Sequence, residues 1–132
     1  YDNYTILDKG NFDDVMDSGW ITAIPESGFT LYNTSQPIKY RKIGKIVSIN
    51  GTVKPMTEIA GSATTYTICN LPEGYRPSIS RYFVCYGSNN YTWRLTINTS
   101  GAVQFSRYGL DSGYVTAGTN HWLNFHAVFF VD

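Results

Sequence analysis

The sequence predicts an all-β domain, built as a sandwich or barrel of short strands. Alternation of apolar and polar residues is frequent, whereas no window of about eleven residues shows the 3.6-residue period of a helix. Turn-forming residues separate the alternating segments, which is typical of sandwiches and barrels. The turn-rich segments are residues 25–28, 72–77, 87–90, 109–113 and 118–120.

Residues 1–19 lack this alternation, and we predict that they form a neck joining a head domain, residues 20–132, to upstream chain. The sequence does not begin with Met and is interpreted as part of a longer protein. Asp13, Asp14 and Asp17 cluster in the neck. A solvated acidic linker is favoured over a calcium site, because the alternating oxygen ligands and central Gly of an EF-hand loop are missing.

The first strands are expected in the middle of the chain. Residues 28–32 predict a short strand, and residues 45–53 predict a hairpin that turns at Asn50 and Gly51. An Asn-Gly pair between β-forming residues is a strong signal for a type I′ turn. Two further strands are expected at residues 64–69 and 81–86.

A second hairpin is predicted from residues 93–97 and 102–105, with its turn at residues 98–101. Alternation places Trp93, Leu95 and Ile97 on one face of the first strand, where they are expected to meet side chains of the returning strand. Those partners are Val103 and Phe105.

The final strand, expected at residues 121–131, is apolar on both faces, which is typical of a strand buried on two sides. One face packing on the core and the other on a neighbouring subunit would account for this pattern. The first face carries Leu123, Phe125, Ala127, Phe129 and Val131. The second face carries Trp122, Asn124, His126, Val128 and Phe130.

Charge and composition exclude several classes of protein. Ten basic and ten acidic residues give a net charge of zero, which argues against nucleic-acid binding and against a polybasic membrane patch. No apolar run approaches the roughly 20 residues of a membrane helix, so we expect no membrane insertion. The two cysteines, Cys69 and Cys85, lie in apolar strands as buried free thiols or as a disulfide.

The sequence gives little support for catalysis, and we predict no enzyme activity, cofactor or metal site. Nucleophile-elbow, zincin, Walker and Cys-x-x-Cys motifs are missing. His121 and His126 are five residues apart and point to opposite faces of a strand. The spacing of the carboxylates suggests no glycosidase pair. A polysaccharide-degrading enzyme, or its accessory domain, is the third-ranked hypothesis.

The aromatic content points to carbohydrate. The chain has eleven Tyr, seven Phe and three Trp. Flat rings contact the apolar faces of sugars, while Asn, Asp, Arg and Tyr bind the hydroxyls. Residues 86–94 and 107–114 have this composition, and the second hairpin would bring them to one end. The candidate ligand residues are Tyr86, Asn89, Asn90, Tyr91, Trp93, Arg94, Arg107, Tyr108, Asp111 and Tyr114.

Purely structural roles remain open for these residues. Trp93 shares its face with apolar neighbours, which favours the core or a subunit interface. Tyr86 either points out of the sheet or lines a seam between subunits. Arg107 and Asp111 pair across a turn in the alternative interpretation.

Three motifs, in this order and spacing, resemble one family of proteins. They are residues 40–53, 71–77 and 95–103, followed by Trp122 and Leu123. Together with residues 19–21, they resemble the C-terminal head domain of tail-fibre and baseplate receptor-binding proteins of phages that infect Gram-positive bacteria. The resemblance covers roughly residues 20–132. Residues 71–77 also fit a rigid turn, with Pro fixing φ and Tyr75 reaching the core.

The resemblance implies an antiparallel β-sandwich of jelly-roll type that forms a homotrimer. It also implies a place at the tip of the phage tail or baseplate, assembly in the host bacterial cytoplasm, and attachment to an upstream tail or baseplate chain. Such heads contact a saccharide of the host cell wall, and we predict an adhesion module of this kind. The alternative is a structural baseplate or tail protein that mediates protein–protein assembly without binding glycan.

Overall fold

The computed structural model describes residues 16–131, which fold into ten short strands and a brief 3-10 turn, Ser88–Asn90. Within this range there is no helix long and apolar enough to cross a membrane. The all-β prediction is confirmed. The strands are β1 (Ile21–Ala23), β2 (Phe29–Leu31), β3 (Ile38–Ile43), β4 (Ile46–Pro55), β5 (Tyr66–Asn70), β6 (Arg81–Gly87), β7 (Thr92–Ile97), β8 (Ala102–Leu110), β9 (Gly113–Tyr114) and β10 (Leu123–Phe130).

The strands form one continuous antiparallel sheet that folds over into two layers. In the first layer, β1, β3, β4 and β10 lie side by side, and β2 also pairs with β4. In the second layer the order is β6, β7, β8 and β5. The layers are joined where Leu123 and Asn124 of β10 pair with Gly87 and Tyr86 of β6. Because this ladder is short, the two halves can turn to face each other.

Aromatic rings fill the space between the layers. Phe29 of the first layer packs edge-on against Phe105 of the second, with 6.0 Å between ring centroids. Trp93 and Phe125 make a similar contact across the layers at 6.1 Å. The antiparallel β-sandwich is therefore confirmed, while its jelly-roll connectivity stays a prediction.

The predicted turn at Asn50 and Gly51 is wrong, because both residues lie inside the continuous strand β4. Close packing favours Gly51 there: an added Cβ would lie 3.0 Å from the Ile38 Cα and 3.1 Å from the Phe125 ring, so its neighbours would have to shift. The chain turns earlier, at Gly44, whose φ is 61°. Pairing of β4 on both edges outweighs the local turn preference of Asn-Gly.

The second predicted hairpin is confirmed. β7 pairs with β8 so that Leu95 lies opposite Phe105 and Ile97 lies opposite Val103. All four side chains are buried. The turn between the strands contains Gly101, whose φ of 90° is disfavoured for other residues.

The final strand has the two predicted faces but begins two residues later than expected. Backbone groups of His121 and Trp122 bond instead to Gly118 and Ser88. The face toward the core is buried, with Leu123 and Phe125 almost inaccessible. The other face is exposed in the isolated chain.

The turn at residues 71–77 has the predicted form. The amide of Tyr75 donates to the carbonyl of Pro72, and Gly74 has a φ of 88°. The Tyr75 ring packs on the ring of Tyr40, 5.1 Å away, which attaches the turn to the core.

The described part of the predicted neck lies along β3. Asp17 forms an isolated bridge with Ile43, and the amide of Ser18 donates to the carbonyl of Lys42. Arg41 donates from Nε to Asp17 Oδ1 over 2.8 Å and also contacts Oδ2. Asp17 is thus held by an ion pair. The neck assignment over residues 1–19 stays a prediction, and Asp13 and Asp14 lie outside the described residues.

We expect Asp17 to titrate well below its ordinary pKa. The Arg41 hydrogen bond, aided by the amide of Gly19, lowers the pKa of Asp17 to about 2. A lowered pKa means that the ion pair stabilises the fold above about pH 4 and that this contribution is lost as the pH falls toward 2. Carboxyl chemical shifts followed by NMR measure this pKa directly. Arg41→Gln should return it toward 4, whereas Lys42→Gln should leave it low; an ordinary pKa in the unmodified chain would contradict the ion pair.

Candidate functional site

The two predicted loops meet at one end of the second layer. The 3-10 turn Ser88–Asn90 connects β6 to β7, and the residues between β8 and β9 form the neighbouring turn. Pairing of Thr92 with Gly109 places these two turns side by side. Asn89 and Asn90 are exposed with φ near 60°, and Asp111 is exposed in the second turn.

Two residues predicted to contact ligand belong to the core instead. Trp93 is 2% exposed and Tyr108 is 1% exposed, so neither presents a ring face to solvent. The Trp93 Nε1 donates to the backbone oxygen of Tyr86 over 2.9 Å. Tyr91 packs against Tyr108 with 5.2 Å between centroids. Trp93 and Leu95 lie on the same face of β7, and this alternation already favoured a core position for Trp93. The prediction that Trp93 and Tyr108 contact ligand at the surface is therefore wrong.

A shallow groove on the outer face of β6, β7 and β8 holds the two arginines of the predicted set. We call it the arginine groove. The guanidinium of Arg94 lies over the ring of Tyr82, 5.1 Å from its centroid. Arg107 donates from Nη1 to the hydroxyl of Tyr114 over 2.8 Å rather than pairing with Asp111. Within residues 16–131, neither arginine forms an ion pair. The remaining lining residues are Phe83, Val84, Thr92 and the edge of Trp93.

A second depression, of about 570 Å³, lies where the two layers join. We call it the tyrosine cleft. Asn124 of β10 forms its floor, with Thr52 of β4 as cross-strand neighbour on one side and Tyr86 of β6 on the other. The amide of Tyr32 donates to the carbonyl of Thr52, which fixes Tyr32 at the rim. The cleft is lined by Tyr32, Gln36, Thr52, Tyr86, Trp122 and Asn124.

Hydrogen bonds position the groups of this cleft. Asn124 Nδ2 donates to Thr52 Oγ1 over 2.9 Å. Ser88 forms two hydrogen bonds to the backbone of Trp122. Its Oγ accepts from the Trp122 amide at 2.8 Å, and its own amide donates to the Trp122 carbonyl at 3.0 Å. The Tyr108 hydroxyl lies 3.2 Å from the Ser88 carbonyl and 3.3 Å from His121 Nδ1. Burial raises the pKa of Tyr108 to about 12, so its hydroxyl stays protonated at neutral pH.

The outer face of the first layer changes in character along β4 and β10. Beside the tyrosine cleft, a depression of about 380 Å³ is lined by polar groups, among them Lys39, Asn50 and His126. The other end of the same face is apolar. Register places Ile43 opposite Ile46, and Ile46 opposite Phe130. We call Ile43, Ile46, Val128 and Phe130 the apolar patch; each is between 43% and 57% exposed.

Sequence reasoning missed most of the tyrosine cleft. Of its lining residues, Tyr86 was predicted, whereas Tyr32, Gln36, Thr52, Trp122 and Asn124 were not assigned to a site. Trp122 and Asn124 could have been found, because they share one face in the alternation of residues 121–131, although the strand itself begins at Leu123. The others come together through pairing of segments about seventy residues apart, which local patterns do not encode.

The geometry offers little for catalysis or metal binding. Within residues 16–131, no group of three or more His, Cys, Asp and Glu side chains could hold a metal ion. Cys69 and Cys85 are free and buried, which matches the first of the two alternatives for these thiols. Burial raises the pKa of Cys69 to about 12 and that of Cys85 to about 11, so both are unreactive thiols at neutral pH.

Comparison with known proteins gives a match in structure. No protein-family model matches the chain, and no curated protein matches it. Among solved structures, the receptor binding protein (gp15) of Listeria phage PSA matches with a TM-score of 0.56 and 16% sequence identity. The match covers 89% of this chain and 67% of that chain. At this identity the likeness establishes a shared fold.

Proposed function

We propose that this chain is the receptor-binding head domain of a phage tail-fibre or baseplate protein and that it binds a saccharide of the host cell wall. The observation that carries the proposal is the likeness to the receptor binding protein gp15, which extends over 89% of the chain. The motif resemblance to heads from phages of Gram-positive bacteria supports the same role. Exposed rings beside amide groups, in the tyrosine cleft, support saccharide as the receptor.

The proposed role is adhesion without catalysis. Glycoside hydrolysis needs two carboxylates that flank the scissile bond. The residues lining the tyrosine cleft and the arginine groove include no Asp or Glu. These two surfaces therefore suit binding rather than cleavage.

We propose further that the head is a homotrimer and that the apolar patch forms its seam. The patch lies where β4 pairs with β3 on one edge and with β10 on the other, on an outer face that is otherwise polar. A contiguous apolar surface of this kind marks an association site. Met16, the first described residue, lies at the same end of the first layer as the apolar patch, because its carbonyl accepts a hydrogen bond from the amide of Gly44. The seam and the connection to upstream chain would thus share one end of the head.

We propose that the protein lies at the tip of the virion tail or baseplate and that it is assembled in the host bacterial cytoplasm. A single shallow site binds a saccharide only weakly. Many copies on one virion act together through effective concentration, which raises avidity without new contacts.

The second candidate function is a structural baseplate protein that contacts only other phage proteins. The apolar patch favours this function as well, because any protein partner could cover it. The two functions differ in whether the isolated chain recognises the cell wall.

Sedimentation with purified cell walls tests the proposed function. The labelled 132-residue chain is mixed with walls from a panel of Gram-positive bacteria, Listeria among them. We expect the chain to sediment with at least one type of wall and to release no reducing ends from it. Binding to no wall, together with capture by a tail or baseplate protein, would establish the structural function instead. Release of reducing ends would establish an enzyme.

A further inference from the structure

We infer that the tyrosine cleft is the primary saccharide site of this chain and that it takes an uncharged pyranose ring. The inference rests on the proposed function and moves the site from the predicted loop end to the junction of the two layers. The cleft's floor is a row of cross-strand neighbours, Thr52, Asn124 and Tyr86. Since neighbouring strands lie about 4.8 Å apart, this row spans about 10 Å.

The rings of the cleft provide stacking surfaces. Tyr86 is 65% exposed and Tyr32 is 43% exposed, so both present ring area to a ligand. Trp122 is half-buried, and its backbone is fixed by Ser88. Tyr and Trp side chains supply a large contact area at low cost in rotamer entropy. Exposed rings beside polar groups match the apolar faces and hydroxyl edge of a pyranose.

The floor carries an oriented hydrogen-bond acceptor. Because Asn124 Nδ2 donates to Thr52 Oγ1, the Oδ1 of the same amide is directed away from that bond. Within residues 16–131, this Oδ1 accepts no hydrogen bond, and it is available to a sugar hydroxyl. The exposed amide of Gln36 adds donors and acceptors at the rim. These groups are neutral, as expected of a site for hydroxyls.

The charge of the surroundings favours an uncharged ring over a phosphate. The cleft is lined by no charged side chain. In the adjoining polar depression, the ammonium of Lys39 lies 5.0 Å from the centre of the Trp20 ring. The arginine groove, with two guanidiniums that form no ion pair within the described residues, is the surface that a phosphate would select.

The cleft stays open in the proposed trimer. Ile46 in the apolar patch and Thr52 in the cleft belong to the same strand and are six residues apart, about 20 Å along β4. Both face outward from the first layer. A seam at the apolar patch would therefore leave the cleft at the far end accessible to the cell wall.

Two matched tyrosines test the inference. Tyr86 and Tyr82 point outward from the same strand and are 65% and 62% exposed, but Tyr82 lies outside the cleft. The affinity of Tyr86→Ala, Trp122→Ala and the control Tyr82→Ala is measured on a cell wall that the unmodified chain binds. Circular dichroism verifies that each variant is folded, and light scattering verifies its oligomeric state. We expect Tyr86→Ala and Trp122→Ala to weaken binding by about 10-fold or more and Tyr82→Ala by less than about 2-fold.

A second set of measurements varies the salt concentration and the two arginines of the arginine groove. Recognition of an uncharged ring should persist at about 0.5 M NaCl, whereas binding to phosphate should fall steeply. Arg94→Gln and Arg107→Gln should retain binding. If the unmodified chain binds walls and Tyr86→Ala binds equally well, the cleft is not the site, while the proposed function stands. Loss of binding in salt and in the arginine variants would identify a phosphate site in the groove. A chain that binds no wall fails at the proposed function itself.

Discussion

Trp93→Ala should destabilise the chain by about 3–5 kcal/mol, the range seen when a large buried aromatic is truncated. Trp93 is 2% exposed and contacts Phe105 and Phe125, which belong to opposite layers of the sandwich. Its removal would also leave the backbone oxygen of Tyr86 without the indole donor. A part-buried acceptor left without its donor adds to the cost of the cavity.

Urea unfolding at a fixed protein concentration measures this change. The control is Trp20→Ala, because Trp20 is exposed and contacts Lys39 and Arg41 through its ring face. A cation–π contact at an exposed site contributes about 1 kcal/mol or less. Equal small losses in both variants would contradict the core position of Trp93. If Trp93→Ala remained stable but lost wall binding, the originally predicted role in ligand contact would be restored.

Phe130→Arg should convert the proposed trimer into a folded monomer. Phe130 belongs to the apolar patch and points away from the core, so the change leaves the packing between the layers intact. Three arginines brought together at a threefold seam would repel one another and would bury charge without partners. Light scattering on the protein as it elutes from a column should give the variant one third of the mass of the unmodified protein.

The matched control for the seam is Leu110→Arg. Leu110 is similarly exposed, at 51%, but ends β8 beside the turn at the other end of the molecule. It should leave the mass of the trimer unchanged. Loss of the trimer should weaken binding to cell walls by about 100-fold, because linked sites gain avidity through effective concentration. If the unmodified chain is monomeric at micromolar concentration, the proposed trimer and its seam are contradicted.

Local patterns predicted the strands better than their connections. The hairpin of β7 and β8 followed from alternation and a glycine turn, and both features act over a few residues. Asn50 and Gly51 carried an equally strong local signal, yet they lie in mid-strand. Pairing with β3 and β10 on both edges, together with the close approach of Ile38 and Phe125, decides their conformation.

The candidate site was predictable only where one strand determines it. Alternation along β10 correctly separated the buried Leu123 and Phe125 from the exposed Asn124. It could not reveal that Tyr32 lies on the same surface, because that depends on pairing between distant strands. Composition favoured the loops around Tyr108, but ring-rich segments serve the core as readily as a ligand.

Removal of wall saccharides tests the central claim most directly. Walls that bind the chain are stripped of their covalently attached glycopolymers, and binding of the same protein preparation is measured before and after. The account predicts that binding disappears with the saccharides and that the released, purified glycopolymer competes for the chain. Undiminished binding to stripped walls, or binding that depends on a surface protein instead, would contradict saccharide recognition.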